Sequence, residues 1–360
     1  MSVALVHGHE TWGTPRRNRA LARCSRVTAD RHSPLHTPDA SLSAGLDVID
    51  LEPLRLGGDH HELASAIDRA SRSLGFFVVV GHGVPGRVRE AAFDAARRFF
   101  AQPRDEKLRV DIARSPHHRG YVALASEALE DGVPGDLKEC FDTGGELADD
   151  HPEVRAGTPL YGSNLWPDLP GFREAVEAYH LAALDAAHLV LRGMALALDL
   201  EEHHITASMH DPLCNLRLLH YPPTDEAPPG PDQPGCGAHT DYGSVTLLAT
   251  DDVAGLQVQG RDGRWRDVSV EAGQLVVNLG DMLARWTNDR YVSTPHRVIS
   301  PRSRHRYSIP FFVNPNFHTP ISCLPSCTGP DHPVRYPTVA AGDYLLSRFD
   351  ATHAYRGRRD

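Results

Sequence analysis

Apolar positions first settle into a regular spacing near residue 46. Asp47 to Leu51 reads as a short strand, and Leu63, Ile67, Ala70 and Leu74 then follow at steps of four, three and four, which sets them on one face of a helix. The unbroken run Phe76-Phe77-Val78-Val79-Val80, closed by Gly81-His82-Gly83, predicts a strand buried on both faces. A second amphipathic helix carries Val88, Ala92, Ala95 and Phe99, with Pro103 beyond its end. Residues 110–170 are irregular and rich in Gly and Pro, and they contain Arg119-Gly120-Tyr121 and Phe141-Asp142. Irregular stretches of this length in compact domains are often functional. A long helix from Gly171 to Leu200 then lines up Phe172, Val176, Tyr179, Ala183, Ala187, Val190, Met194 and Leu198, the stripe of a helix that supports a sheet.

From residue 213 the texture changes to short strands separated by turns: Leu216 to Tyr221, Ser244 to Ala249, Leu256 to Gln259, Gln274 to Leu279, Arg290 to Ile299 and Arg306 to Val313. Turn dipeptides such as Pro222-Pro223 and Asp262-Gly263 between them predict an antiparallel sandwich or barrel. A final helix is expected over Val339 to Tyr355. Residues 1–45 mix Arg, His, Ser, Thr and Pro without an apolar period and are expected to be a flexible extension. The fold class is therefore mainly β with flanking helices and an N-terminal α/β region, divided as 46–205 for that region, 206–330 for the strand-rich core and 331–360 for the closing helix.

Composition narrows the partners. The 360 residues are 41% hydrophobic and 23% charged, as in a soluble globular protein, and the formal net charge of -10 argues against a nucleic-acid partner, which calls for a basic face. No apolar stretch approaches the roughly 20 residues of a membrane span, and the start lacks a basic segment before a long apolar core, so a cytoplasmic protein is expected. Its six cysteines (Cys24, Cys140, Cys214, Cys236, Cys323, Cys327) are scattered, unlike a disulfide scaffold. Cys323 and Cys327, near His318 and His332, match no common zinc spacing.

Chemistry enters with His239 and Asp241. Two residues apart on a strand, they face one side and present a nitrogen and a carboxylate oxygen together. A third donor is available in His296, inside Ser293-Thr294-Pro295-His296-Arg297-Val298, if the sheet closes. Two histidines and a carboxylate on one face of an octahedral ion leave positions open, the arrangement suited to Fe(II), an organic co-substrate and dioxygen. A lone His-x-Asp is also a common accident. Arg306 and Ser308 change the weighting, because they too share a strand face, and a guanidinium fork beside a hydroxyl holds a carboxylate.

These segments resemble the iron(II)- and 2-oxoglutarate-dependent oxygenases of the isopenicillin N synthase-like family. The resemblance spans about residues 46–356 and rests on Leu216-Arg217-Leu218-Leu219-His220-Tyr221-Pro222-Pro223, Ala238-His239-Thr240-Asp241-Tyr242-Gly243, Asn278-Leu279-Gly280-Asp281, Thr294-Pro295-His296-Arg297-Val298 and Arg306-Tyr307-Ser308, in order. It implies a double-stranded β-helix, or jelly roll. It also implies iron held by His239, Asp241 and His296, and 2-oxoglutarate held by Arg306, Ser308 and Tyr221. The implied reaction oxidises an unactivated C–H of a small molecule with O2, by hydroxylation, desaturation or cyclisation, and releases succinate and CO2. Many plant members carry an asparagine where this chain has Leu219, which leaves Arg217 as a compensating polar group.

Three other readings stay open on sequence alone: a 2-oxoglutarate-independent iron oxidase of the isopenicillin N synthase type, an ethylene-forming enzyme, and a non-catalytic jelly-roll binding module. Substrate contacts are expected from Tyr121, Glu127, Phe141, Arg217 and Phe312, and the assembly is expected to be a monomer or homodimer.

Overall fold

Successive strand residues point to opposite faces of a sheet, and in this protein both faces of the main sheet are covered. The computed structural model describes residues 45–127, 134–230 and 233–352, with residues 351 and 352 as backbone only. The expected N-terminal extension lies outside the described residues apart from Gly45. In chain order the strands of the two larger sheets are β1 (Val48–Asp50), β2 (Phe76–Val80), β3 (Gly120–Val122), β4 (Glu139–Thr143), β5 (Leu213–Tyr221), β6 (Cys236–His239), β7 (Val245–Thr250), β8 (Leu256–Gln259), β9 (Trp265–Asp267), β10 (Leu275–Leu279), β11 (His296–Val298) and β12 (Arg306–Asn314). Eight of them form one sheet in the order β1-β2-β10-β7-β12-β5-β4-β3, and four form a smaller sheet in the order β6-β11-β8-β9. Among the described residues, β1 and β2 are the one parallel pair of these strands.

The outer face of the large sheet is mainly apolar. Phe77, Phe141, Leu216, Leu218, Leu247, Val277, Ile309 and Phe311 pack there in one core with residues of the helices His61–Ser73, Gly86–Phe100 and Phe172–Ala197. Each such side chain contributes roughly 1.5–3 kcal/mol when fully buried. The inner face looks toward the small sheet and is mixed: Phe76 and Val276 pack with Leu256 and Val258, and Cys140, Leu219 and Tyr221 pack with Cys236 and Val298. Between these apolar patches stand buried Asp142, Thr246, Asn278, Arg306 and Ser308. Buried polar groups need partners, so the inner face is where chemistry is concentrated.

The helix His61–Ser73 ends through Gly75, which turns the chain into β2. Its φ of 66° is the left-handed conformation that glycine adopts freely, its N–H bonds the carbonyl of Ala70, and a Cβ there would lie 2.0 Å from the Val292 carbonyl oxygen. No helix among the described residues is long and apolar enough to cross a membrane.

Most predicted elements form, with three differences. The segment expected to be irregular contains β3 and β4, which extend the large sheet. Three residues and the polar sequence Glu139-Cys140-Phe141-Asp142-Thr143 are too weak a pattern to announce them. The strand expected over Arg290 to Ile299 is only His296–Val298. Ahead of it the chain is held back against the first long helix, with Val292 N–H on the Ser71 carbonyl and both Arg290 and Tyr291 on Asp68, and Pro295 has no N–H for a ladder. The last helix starts at Ala341 because Val339–Ala340 pairs with Pro320–Ile321, and the end expected for it, to Tyr355, lies outside the described residues.

The join between helix and sheet has a titratable element. His180 of the helix Phe172–Ala197 packs edge-on against Phe311, with ring centroids 4.9 Å apart. Burial, reinforced by the Arg119 charge, pushes its imidazole down to about 4. The unfolded chain therefore binds the proton first as pH falls from about 6.5, and stability is lost progressively toward pH 4. We expect His180→Phe to flatten the stability profile over that window, by on the order of 2 kcal/mol at its acid end. Denaturant melts at stepped pH values check this, and equal slopes for the two proteins would contradict it.

Candidate metal and co-substrate site

The small sheet assembles the metal donors. In the β6–β11 ladder His296 stands directly opposite His239, with a register shift between His296 and Val298. Asp241 is not on the strand as expected. It follows His239 by two residues, in the turn from β6 to β7. That turn is drawn against the start of the helix Asp281–Trp286, where Asp281 N–H bonds the Asp241 carbonyl and Gly280 N–H bonds that of Ser244. Gly280 is needed for so close an approach, since a Cβ there would sit 2.2 Å from the Gly243 carbonyl oxygen.

The donor atoms are aimed before any ion arrives. His239 Nδ1–H donates to the Gly237 carbonyl at 2.8 Å and His296 Nδ1–H to that of Thr294 at 3.2 Å, so each ring turns Nε2 toward the other ligands. Asp241 Oδ2 accepts from the Thr246 hydroxyl and from Asn278 Nδ2 at 2.7 Å, which leaves Oδ1 facing the imidazoles. Oδ1 lies 3.8 Å from His239 Nε2 and 3.6 Å from His296 Nε2, and the three residues offer ligand atoms within 4.8 Å of one another. No other group of three such residues lies so close together among the described residues.

Electrostatics agree with this geometry. Burial alone would raise the Asp241 carboxyl, but the facing His296 and His239, with the bonds from Thr246 and Asn278, hold it below the usual carboxylate range. Burial and the neighbouring His239 push His296 down to about 4, so at neutral pH it presents a lone pair and not a proton. An anionic oxygen and a neutral nitrogen are the protonation states that a divalent metal requires. Three donors on one side leave the other side open, as Fe(II) with two further reactants needs; a closed tetrahedral zinc site would need a fourth.

Arg306 is the second feature. On β12 it is 1% exposed, its Nε–H donates to the Val253 carbonyl, one terminal nitrogen reaches Ser308 Oγ at 3.4 Å, and its guanidinium carbon lies 4.9 Å from the centre of the Tyr221 ring. Among the described residues it has no ion pair with a carboxylate. Asp251, the acid whose field it feels, is bonded by the backbone N–H groups of Tyr307 and Val253. A guanidinium buried without an anion is costly, and one cavity is lined by Arg306, Ser308 and Tyr221 together with His239, Asp241 and His296. A small dianion spanning the three donors and Arg306 would remove that cost.

The other expected contacts divide by strand parity. Arg217 and Phe312 are on the inner face and line the cavity. Arg217 is also held by two acids, with Nε and one terminal nitrogen on Asp142 at 2.7 and 3.0 Å and the other terminal nitrogen 3.1 Å from Glu127 Oε2. Glu127 therefore acts on the cavity through Arg217. Tyr121 and Phe141 point the other way: paired across β3 and β4, they are buried in the helix-side core, Phe141 against Phe99 and Phe172 and Tyr121 with its hydroxyl on Glu139 at 2.5 Å. The expectation that they touch substrate is corrected, because the face toward the cavity carries their neighbours Val122, Cys140 and Asp142. Sequence reasoning missed Lys138, Thr246 and Asn278, which line the cavity, and Asp142. Asn278 stood in a recognised motif without a role, and Asp142 was discoverable as the acid that an inward Arg217 demands.

Comparison with known proteins bears on this site. The family model described as the N-terminal region of a non-haem dioxygenase in morphine synthesis matches residues 46–169, and that of the 2OG-Fe(II) oxygenase superfamily matches residues 212–315. The 2-oxoglutarate-Fe(II) type oxidoreductase hxnY of Emericella nidulans is 37% identical over 314 residues, covering 85% of this chain and 90% of its own. A protein of Caulobacter crescentus ascribed to the 2OG-Fe(II) oxygenase family superposes with a TM-score of 0.76 at 30% identity over 86% of this chain and 99% of its own. Full-length Neurospora crassa T7H, solved with alpha-KG, superposes at 0.72 with 31% identity over 84% and 95%.

Parity makes a direct prediction. Phe141→Ala is expected to cost about 3–5 kcal/mol of stability, as removal of a buried aromatic does. Phe312→Ala is expected to cost roughly 1 kcal/mol or less, since its ring faces the cavity. Thermal and denaturant melts check both, and the reverse ranking would show that the inner and outer faces have been exchanged.

Proposed function

The chain belongs to the 2OG-Fe(II) oxygenase superfamily and is an iron(II)- and 2-oxoglutarate-dependent dioxygenase, and from that premise we propose that His239, Asp241 and His296 hold its iron while Arg306, Ser308 and Tyr221 hold the distal carboxylate of 2-oxoglutarate. The observation that carries the assignment is the shared cavity, in which a three-donor metal site and a buried guanidinium without an acid partner face the same space. In this reading the large and small sheets are the two walls of a jelly roll.

When bound, iron and 2-oxoglutarate supply the oxidising power, with dioxygen consumed and 2-oxoglutarate converted to succinate and CO2. The protein's own part is placement. Asp241 contributes the negative charge that offsets the metal, and the hydrogen bonds to its second oxygen keep the first one pointed. Arg306 fixes the co-substrate at its far end, and the apolar residues Phe76, Leu256 and Val298 line the same cavity and limit the water in it.

The substrate is a small molecule that lies toward Arg217 and Phe312, where a ring can meet Phe312 and a polar group can meet the spare guanidinium donors. The chain acts on it as a monomer or homodimer.

Two measurements test the assignment. With Fe(II) and a small-molecule panel, succinate is expected to form in step with product. A product heavier by one oxygen marks hydroxylation, and one lighter by two hydrogens marks desaturation or cyclisation. Product formed at full rate without 2-oxoglutarate would contradict the reading. Arg306→Met is expected to raise the KM for 2-oxoglutarate by roughly 10- to 100-fold, the scale of a lost charged hydrogen bond, with a smaller effect on kcat. An unchanged KM would remove Arg306 from the co-substrate site.

A further inference from the structure

The two histidine donors are oriented by carbonyls of unequal rigidity. Thr294, which orients His296, is followed by Pro295 and is itself tied by its hydroxyl to the Leu74 carbonyl at 2.6 Å. Gly237, which orients His239, has no side chain and lies on β6, at the edge of the small sheet. Glycine has the widest backbone freedom of any residue, so a bond from outside the β6–β11 ladder adds to what that ladder imposes on Gly237. The neighbour that bonds Gly237 from outside is Asp136. Its Oδ1 accepts the Gly237 N–H at 2.9 Å, while the Leu137 N–H bonds the Pro234 carbonyl at 2.7 Å, so residues 136–137 stand in for the missing strand at the β6 edge.

Asp136 is itself locked in place. It is fully buried, its Oδ2 is paired with Lys138 Nζ, and Lys138 is paired in turn with Glu127 at 3.1 Å. Glu127 bonds Arg217 on the cavity wall. Three acids and two cations in this cluster (Asp136, Glu127, Asp142, Lys138 and Arg217) are thus joined without a break to the backbone that aims an iron ligand. A buried ion pair is weak evidence of stability, because desolvation offsets most of its attraction. A role in fixing geometry accounts for its place here.

We propose that Asp136 is a positioning residue for the iron site: by accepting the Gly237 N–H it fixes the carbonyl that holds His239 with Nε2 toward the metal. The proposal rests on His239 being an iron ligand. It makes the acceptor oxygen at position 136, and not its charge, the element that matters.

Two neutral double variants separate these roles, since both remove the ion pair and only one keeps the acceptor. Asp136→Leu with Lys138→Met is expected to weaken Fe(II) binding to the purified protein by roughly tenfold or more, the usual scale for losing an outer partner of a metal ligand. It should also alter the visible spectrum of Co(II) in the site. Asp136→Asn with Lys138→Met is expected to bind Fe(II) within about twofold of wild type, because an amide oxygen still accepts the bond. Equal affinities and equal Co(II) spectra for the two variants would overturn the proposal. Should the leucine variant fold poorly in a thermal melt, amide exchange of the wild-type protein decides: the Gly237 N–H is expected to be strongly protected, and rapid exchange would overturn the proposal. His239→Ala is measured alongside. Loss of Fe(II) uptake is expected there, and wild-type uptake would show that the iron assignment itself has failed, taking the proposal with it.

Discussion

A strand that alternates its side chains gives a sheet two independent faces, and the site of this enzyme depends on that separation. Toward the helices the large sheet is mainly apolar, from Phe77 and Val277 to Leu247, Ile309 and Phe311, with Glu139 and His220 paired to each other at its β4–β5 end, and this face supplies the cohesion of the fold. The opposite face is thereby free to carry Asp142, Arg217, Thr246, Asn278, Arg306 and Ser308 without weakening the main core. A shift of one residue in any of these strands would exchange the two sets and lose both the core and the site together. The antiparallel register that places Arg306 beside Tyr221 and Ser308 beside Leu219 is accordingly a chemical requirement as much as a structural one.

Within the inner space, polar groups fall into two kinds. Asp142, Glu127, Asp136, Lys138 and Arg217 satisfy one another and form fixed walls. The donors His239, Asp241 and His296, and the Arg306 guanidinium, are each held by hydrogen bonds on one side and left unpaired on the other. Such half-satisfied groups store the demand for a ligand. On the proposed assignment a metal meets it at one end and a carboxylate at the other. Because the supporting bonds already exist, little reorganisation remains when the ligands arrive, which is the sense in which the protein contributes to oxidation chemistry that belongs to the iron and 2-oxoglutarate.

Much of this was legible in the chain. The continuous run Phe76 to Val80, the apolar stripe of the helix Phe172–Ala197 and the strands after residue 213 announce themselves by period, and the His-x-Asp and Arg-x-Ser pairs by spacing. What stayed hidden depended on partners far away in sequence. β4 is only half apolar because Asp142 answers Arg217 on its inner face and Glu139 answers Lys107, Tyr121 and His220 on its outer one, so its pattern resembles a loop until the register with β5 is known. Tyr121 and Phe141 seemed suited to a binding surface, yet the same register turns them into the helix-side core. Asp136 and Lys138 carry no motif at all, and their contacts appear only when the chain lays them along the edge of β6.

The central claim is that hydrogen bonds to Gly237, Thr294, Thr246 and Asn278 select which atoms of the triad meet the metal. An anaerobic crystal structure of the Fe(II) and 2-oxoglutarate complex tests this most directly. The account predicts iron on His239 Nε2, Asp241 Oδ1 and His296 Nε2, with the distal carboxylate of 2-oxoglutarate on Arg306 and those four hydrogen bonds unchanged. Iron bound through either Nδ1 or through Asp241 Oδ2, or a co-substrate carboxylate away from Arg306, would contradict it.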